Sequence, residues 1–164
     1  MRGKCGHMMK TYIHYGTCAF MPELYTPIQN QYFVKPQGGL WASPEDAKYG
    51  WKEWNENTHF IEIVENKSFK FTLSENAKVI HLYSVDDLEG LPKLKIPGMP
   101  EFINTTFTYL DFEALMEQGY DAIELHLSEE YRSNSDFMKG LRWSLYGWDC
   151  DSILIMNPEV IIEI

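Results

Sequence analysis

The sequence predicts an α+β domain with many short strands and few helices. Short apolar runs with period-two alternation recur along the chain, as in residues 68–73 (SFKFTL). Helix signals are confined to a few capped segments, and glycine or proline separates many of the runs. The chain has 164 residues, of which 45% are apolar and 15% aromatic. It is therefore long enough for one domain with a sizeable core, and its composition argues against disorder.

Eight segments are predicted as β-strands from their apolar pattern and from the polar or turn residues that bound them. They are residues 11–16, 31–35 (QYFVK), 59–65 (HFIEIVE), 68–73, 78–83 (KVIHLY), 120–125 (YDAIEL), 152–156 (SILIM) and 160–164 (VIIEI). The last two flank an Asn-Pro turn.

The segment 43–54 (SPEDAKYGWKEW) has the marks of a helix start. Ser43 is predicted as the N-cap, with a proline in the first turn and an acidic residue three positions after the cap. Ala47, Trp51 and Trp54 then recur at helical spacing on one face. Such aromatic faces belong to a core more often than to the wall of a cofactor site.

Two further short helices are predicted, one capped by Ser84 and one by Asp111, each ended by a glycine. Residues 91–100 (LPKLKIPGMP) contain three prolines and a glycine and are predicted as a loop. Residues 128–146 are predicted as a polar loop followed by a short amphipathic helix.

Charge and targeting signals narrow the class of protein. The formal net charge is -10, from 24 acidic and 14 basic residues, which disfavours broad binding to nucleic acid or to an anionic membrane. No apolar run approaches the ~20 residues of a membrane span, and no signal peptide is visible. Three widely spaced cysteines without zinc-ligand spacing predict a reducing cytoplasm and no disulfides.

The first residues are interpreted separately from the fold. Residues 1–8 are read as an expression leader, which leaves 9–164 as a single domain. Cys5 and His7 within this leader would otherwise be a candidate metal-binding pair.

The segment 35–51 (KPQGGLWASPEDAKYGW) is the most unusual in the chain. Gly38 and Gly39 permit backbone geometry that a β-carbon would forbid. They lead to Trp41 and then to the predicted helix, whose N-terminus could hold a phosphate. A dinucleotide pocket and a β-turn followed by core tryptophans both fit this pattern.

Other chemical motifs are absent or incomplete. The chain lacks the GxxxxGK[ST], GxGxxG and GxSxG motifs, so kinase, Rossmann and esterase functions are not indicated. His59, His81 and His126 lie in alternating patterns and are predicted to be structural or exposed. The last of them, in the run HLSEE, has no second ligand at metal spacing, so no metal site is predicted. Cys150 would need a neighbouring histidine to act as a nucleophile.

Three segments together resemble the signature of the ADP-ribosyltransferase fold. They are IHYG (13–16), GGLWAS (38–43) and DSILIMNPEVI (151–161). The resemblance is to the His-Tyr-Glu class, which includes the poly(ADP-ribose) polymerases and diphtheria-toxin-like enzymes, and within it to bacterial or phage-type members. The run FKFTLSENAKVIHLYSVDDLEGL looks like the middle of bacterial members. The resemblance implies an α+β fold of split antiparallel β-sheets with a few short helices.

The first motif implies contacts with the ribose of NAD. In the family, a strand ends in a histidine that hydrogen-bonds the adenosine-side ribose, and His14 matches it. Gly16 would let the cofactor lie close to the backbone. Tyr15 is an extra residue between the two, where the family usually has the glycine adjacent to the histidine.

The second motif implies contacts with nicotinamide. Gly39 would open the second strand, and Trp41 stands where the family has a stacking tyrosine. Indole offers a larger π-face, so stacking is retained. Ser43 would either hydrogen-bond the nicotinamide end or only cap the helix.

The third motif implies a catalytic acid, which holds a ribose hydroxyl and stabilises the oxocarbenium-like transition state. The family places a glutamate at the start of its late strand, where this chain has Ser152. Asp151 is therefore ranked first, followed by Glu124 on a neighbouring strand and then Asp149.

The resemblance implies that NAD is a substrate, with nicotinamide released and ADP-ribose transferred to an unknown acceptor. The acidic composition favours a protein or small-molecule acceptor over nucleic acid. Transfer to water, giving an NAD glycohydrolase, is a variant of the same activity. The displaced acid keeps open a non-catalytic nucleotide- or protein-binding module, and an unrelated α+β domain is the third alternative.

Overall fold

A computed structural model describes residues 9–32, 34–62, 67–106, 108–127 and 147–164. These residues form an α+β fold with nine strands and three short α-helices. The strands are β1 (Tyr12–Tyr15), β2 (Leu40–Pro44), β3 (Ser68–Leu73), β4 (Val79–Leu82), β5 (Lys93–Leu94), β6 (Tyr109–Leu110), β7 (Ala122–Leu125), β8 (Ser152–Ile155) and β9 (Ile161–Glu163). The helices are α1 (Trp51–Thr58), α2 (Glu101–Thr106) and α3 (Phe112–Glu117).

Seven strands form one mixed sheet in the order β4-β7-β8-β2-β1-β3-β9. Strands β4 and β7 are parallel, and the other neighbours in the sheet are antiparallel. The chain between β4 and β7 contains β5, β6, α2 and α3, which provide the long crossover that a parallel pair requires. Strands β5 and β6 pair separately.

Strand β2 joins the two halves of the large sheet. Its first three residues pair with β8, from Leu40 opposite Ile155 to Ala42 opposite Ile153. Its last two residues pair with β1, where Ser43 lies opposite Ile13. The pairing of β1 with β2 therefore ends where the pairing of β2 with β8 begins.

Alternation along the strands divides the core into two clusters. The Leu115 cluster lies on one face and the Phe71 cluster on the other; each is named after a fully buried member. Ile123 and Leu154 belong to the first, whereas their strand neighbours face the second. Adjacent residues of a strand point to opposite faces. The Phe71 cluster contains Tyr12, Ala42, Phe69, Phe71, Ala122, Ile153, Ile155 and Val160.

Several predicted elements are confirmed. Strands form within the predicted segments 11–16, 68–73, 78–83, 120–125, 152–156 and 160–164. The Asp111 carboxylate accepts a hydrogen bond from the Ala114 N–H over 2.9 Å at the start of α3. Ser84 precedes a one-turn 3-10 helix, and the Asp87 carboxylate accepts the Ser84 N–H over 2.8 Å. These caps depend on residues three positions apart, which a sequence displays directly.

The strand predicted over 31–35 is wrong. None of its four described residues, which are 31, 32, 34 and 35, is in a strand. The segment instead lies within a loop that is closed by two backbone hydrogen bonds between Gln29 and Gln37. Tyr32 and Val34 are exposed. Their apolar side chains gain no burial that would stabilise a strand here.

The helix predicted from Ser43 is also misplaced, because α1 begins at Trp51. Ser43 and Pro44 are the last residues of β2 and pair with β1. Sheet pairing outweighs the local capping pattern at this point. Trp51 and Trp54 pack against each other and against Phe60.

The strand predicted over 59–65 is wrong for residues 59–62. Helix α1 runs to Thr58 and ends at His59, whose φ of 51° is left-handed. The buried Asn55 side chain then accepts the N–H of Ile61 and donates to its carbonyl oxygen. An amide side chain thus satisfies backbone groups that a strand would have paired.

The remaining differences are small. The loop predicted over 91–100 contains β5, and α2 and β6 follow it without a sequence signal that predicted them. The predictions for 1–8 and 128–146, and the end of the 59–65 segment, lie outside the described residues. No helix in the described part of the chain is long and apolar enough to cross a membrane.

Candidate functional site

The end of β1 presents a histidine ring that contacts the backbone of β2. His14 Nδ1 lies 2.7 Å from the carbonyl oxygen of Trp41. A carbonyl oxygen only accepts hydrogen bonds, so Nδ1 carries a proton, and in the neutral ring Nε2 is an acceptor. Burial lowers the pKa of His14, although the hydrogen bond to Trp41 acts in the opposite direction. The ring also packs against Phe69, with centroids 5.2 Å apart.

Gly16, directly after β1, leaves the Nε2 side of the His14 ring uncovered. Gly16 has a φ of 133°, and a β-carbon there would lie 3.5 Å from His14 Nε2. A larger side chain would cover that nitrogen. Tyr15, between them, pairs with Ser68 of β3 and alternates to the face opposite His14.

The glycine pair before β2 accommodates the chain itself. A β-carbon on Gly38 would lie 2.2 Å from the Pro27 carbonyl oxygen, and one on Gly39 would lie 2.5 Å from Leu154 Cδ1. The Gly39 N–H donates to the Thr26 carbonyl oxygen over 2.9 Å. The close approach of residues 26–27 to Gly38, and of Leu154 to Gly39, therefore accounts for both glycines without a ligand.

Trp41 packs on the face of the Leu115 cluster. Its ring meets Trp148 edge-on, with centroids 4.7 Å apart. The Lys35 ammonium lies 4.8 Å from the Trp41 ring centroid, which is a cation–π contact. Burial lowers the pKa of Lys35, and the neighbouring Asp149 acts to raise it.

Ser43 caps α1 from a distance in the sequence. Its hydroxyl oxygen accepts the N–H of Trp51, the first residue of α1, over 2.9 Å. Gly50, directly before that helix, has no side chain to do so, and a β-carbon there would lie 3.1 Å from Ser43 Cβ. Ser43 therefore caps this helix, as predicted, but the helix begins at Trp51 and not directly after Ser43.

The three candidate acids have different surroundings. Asp151 immediately precedes β8, is partly exposed, and its carboxylate accepts the Leu127 N–H. Asp149 is exposed and interacts electrostatically with Lys35. Glu124, on β7, is completely buried.

Glu124 is the centre of a polar cluster. The Tyr12 hydroxyl donates to Glu124 Oε2 over 2.9 Å, and the Lys10 ammonium forms an ion pair with Oε1. His81 Nδ1 lies 3.4 Å from Oε2, and His126 Nε2 lies 3.8 Å from Oε1. The cluster thus combines one buried carboxylate, one ammonium, one phenol and two imidazoles.

Register explains how these groups meet. His81 of β4 pairs with Glu124 of β7. His126 follows Glu124 by two positions and therefore lies on the same face. Burial raises the pKa of Tyr12, and the adjacent Glu124 raises it further. Burial also lowers the pKa of His126, while the Glu124 carboxylate opposes this effect.

The predicted site residues thus fall into two groups. His14 and Glu124 lie on the side of the Phe71 cluster, whereas Trp41 lies on the side of the Leu115 cluster. The two groups approach each other at the hydrogen bond between His14 and the Trp41 backbone.

Several site neighbours were not predicted from the sequence. The spacings HxY (81–83) and ExH (124–126) place pairs of side chains on one strand face, but only strand pairing reveals that the two pairs meet. The residues that the structure places next to Glu124 or Trp41, and that the sequence did not predict there, are Lys10, Tyr12, Lys35, His81 and Trp148.

Cys150 is unsuited to nucleophilic chemistry in this environment. Burial raises the pKa of its thiol to about 12, although Lys35 opposes this shift. A thiolate is the reactive form of cysteine. The thiol is therefore protonated near neutral pH.

Comparisons with known proteins provide no assignment. The chain matches no family model, and searches of curated proteins and of solved structures likewise found no match.

Proposed function

We propose that this protein cleaves the nicotinamide–ribose bond of NAD and transfers ADP-ribose to a protein or small-molecule acceptor. The observation that carries the proposal is the adjacency of three strands. Segments 13–16, 38–43 and 151–161, which resemble the ADP-ribosyltransferase signature, contribute to β1, β2 and β8. These strands are neighbours in the order β8-β2-β1. Residues that are distant in the sequence thus meet in one part of the sheet.

The end of the β1–β2 pairing supports a nucleotide site at this position. His14 and Trp41 border the point where the backbone pairing of the two strands ends. With Nδ1 bound to the Trp41 carbonyl oxygen, His14 in its neutral form offers Nε2 as an acceptor for a ribose hydroxyl, and Gly16 has no side chain that would cover it. A dinucleotide bound beyond the end of this pairing would contact His14 on one face of the sheet and Trp41 on the other.

Lys35 and Trp41 support binding of the remaining parts of NAD. The ammonium of Lys35 supplies a positive charge next to the indole ring, and a diphosphate would attract that charge away from the ring. The exposed ring face would then stack on nicotinamide.

Asp151 is the acid that we assign to the reaction. It precedes β8 directly and is partly exposed, with its carboxylate accepting the Leu127 N–H, whereas Glu124 is completely buried and bound by both Tyr12 and Lys10. As the glycosidic bond breaks, nicotinamide leaves as a neutral molecule and positive charge develops on the ribose. The Asp151 carboxylate would stabilise that charge, and the acceptor would add to the same carbon and lose a proton.

The test is an NAD titration followed by tryptophan fluorescence, with nicotinamide release measured in the same samples. The expected result is quenching that is lost in Trp41→Ala and retained in Trp54→Phe, a control in the separate Trp51–Trp54–Phe60 group. Asp151→Asn should retain quenching and lower release by roughly 10²–10³-fold. Asp149→Asn is the matched control and should retain release.

Other outcomes reassign the function. Release that survives in Asp151→Asn and is lost in Glu124→Gln would make Glu124 the acid. Quenching without release in the wild type, also with candidate acceptors, would favour a non-catalytic binding module, which the Lys35-covered indole and the engaged acids also fit. Neither signal at millimolar NAD would overturn the proposal.

A further inference from the structure

The polar cluster around Glu124 has a feature that the proposed function does not use. His81, Glu124 and His126 direct three ligand atoms toward one another, and these atoms all lie within 4.8 Å. The three residues come from the paired strands β4 and β7. His81 lies on β4, Glu124 lies on β7, and His126 is the first residue after β7. Within the described part of the chain, no other group of three histidine, cysteine or acidic side chains brings its ligand atoms this close together.

We infer that His81, Glu124 and His126 bind a divalent transition-metal cation, Zn²⁺ being the best match. Two imidazole nitrogens and one carboxylate are a ligand set that Zn²⁺ accepts, with a fourth position left for water. The proposal concerns metal binding and does not depend on NAD.

The distances between the ligand atoms are within side-chain adjustment of those around such an ion. Zn–N and Zn–O bonds of 2.0–2.2 Å place the ligand atoms of a tetrahedral site about 3.3–3.6 Å apart. His81 Nδ1 lies 3.0 Å from His126 Nε2 and 3.4 Å from Glu124 Oε2. His126 Nε2 lies 3.8 Å from Glu124 Oε1. The two imidazoles approach different oxygens of the carboxylate, and with one oxygen as the ligand the three ligand atoms lie within 4.8 Å of one another. Side-chain rotation that shortens the longest edge by up to about 1.5 Å would complete the tetrahedral geometry.

The surroundings hold the ligands in place. The His126 ring stacks on Tyr83 with centroids 4.2 Å apart and an interplanar angle of 8°. The Tyr12 hydroxyl donates to Glu124 and orients the carboxylate. Glu124 is completely buried, whereas the His81 and His126 side chains are 43% and 23% exposed. The site is therefore anchored in the core and open to solvent on the histidine side.

Lys10 is the competitor for this site. Its ammonium forms an ion pair with Glu124 Oε1, and its side chain is 38% exposed. A divalent cation between the histidines and Glu124 would displace the ammonium toward solvent. Removal of the Lys10 charge should therefore strengthen metal binding, whereas removal of either histidine should weaken it.

The experiment is a Zn²⁺ titration of the full chain by isothermal calorimetry. The expected result is one Zn²⁺ per chain, with affinity lowered roughly tenfold or more in His81→Ala and in His126→Ala. His59→Ala is the matched control because His59 is an exposed histidine outside the cluster, and it should bind as the wild type does. Lys10→Met should bind several-fold more tightly.

Two further measurements exclude trivial explanations. Cys5→Ser/His7→Ala should retain binding, since the cluster contains neither residue. His126→Gln preserves a polar side chain of similar size, and thermal unfolding without metal confirms that it folds. Co²⁺ should give the visible bands of a four-coordinate site in the wild type and not in His126→Gln. Absence of Zn²⁺ binding at millimolar metal would overturn the inference. Binding lost in Cys5→Ser/His7→Ala but unchanged in both histidine-to-alanine variants would also overturn it.

Discussion

Tyr12 donates a hydrogen bond to the buried carboxylate of Glu124 over 2.9 Å, although β2 and β8 lie between their strands. Three strand spacings amount to about 14 Å in a flat sheet, and the side chains of a flat sheet stand roughly perpendicular to it, so they would not span that distance. The sheet must therefore bend toward this face. The bond links the two halves of the sheet that β2 joins.

Tyr12→Phe should destabilise the protein by about 1–3 kcal/mol at neutral pH, because the buried Glu124 loses a hydrogen-bond donor. Urea denaturation measures this difference in the free energy of unfolding. Tyr32→Phe is the control, since Tyr32 is exposed. Equal effects of the two substitutions would contradict the stabilising role of the Tyr12–Glu124 bond.

Tyr12 should also produce an alkaline loss of stability. Burial and the adjacent Glu124 raise its pKa in the folded protein, so the folded state retains a proton that the unfolded chain loses above about pH 10. The stabilisation is complete below that pH and decreases as the pH rises toward the folded-state pKa. Between about pH 10 and 11, the wild type should lose about 1 kcal/mol more than Tyr12→Phe. Parallel pH profiles from urea denaturation would argue against this linkage.

Gly38 and Gly90 form a matched pair for testing the close chain approach before β2. Both have a φ of 79°, but a β-carbon on Gly90 meets nothing within 4 Å, whereas one on Gly38 would lie 2.2 Å from the Pro27 carbonyl oxygen. Gly90→Ala should cost about 1 kcal/mol for the left-handed backbone. Gly38→Ala should cost about 1–3 kcal/mol more because of the steric overlap. Equal denaturation midpoints would show that the chain relaxes at residues 26–27.

Ser43→Ala should destabilise the protein by about 1 kcal/mol, because the Trp51 N–H at the start of α1 loses its acceptor. Ser84→Ala serves as the control, since the capping bond there runs from the Ser84 backbone N–H to the Asp87 carboxylate and is retained in the variant. Urea denaturation of both variants gives the comparison. An effect of Ser84→Ala as large as that of Ser43→Ala would indicate that the tertiary cap contributes little.

Alkylation should distinguish the two described cysteines. Cys18 is exposed, whereas burial raises the pKa of the Cys150 thiol to about 12. Iodoacetamide at neutral pH should therefore modify Cys18 in the native protein, and Cys150 only after denaturation. Peptide mass spectrometry assigns each site. Rapid native modification of Cys150 would mean that the segment before β8 opens.

The sequence by itself determined the elements whose stabilising partners are close along the chain. The alternation in 68–73 and 152–156 predicted β3 and β8, because burial of one side chain in two leaves a period-two pattern. Asp111 and Ser84 predicted their helix starts, because each cap is completed within three residues. The sequence also drew attention to His14, Trp41 and Asp151, whose roles in NAD chemistry stay predictions.

Only the tertiary structure decided the features that depend on distant partners. Strand β2 extends to Pro44 because β1 pairs with it, and the same pairing moves the helix start to Trp51. Glu124 and His81 meet because β4 and β7 are parallel neighbours, although more than forty positions separate the two residues. Strand pairing brings together residues that carry no common local pattern. The separation of His14 and Trp41 between two faces likewise follows from register, which spacing along one chain does not reveal.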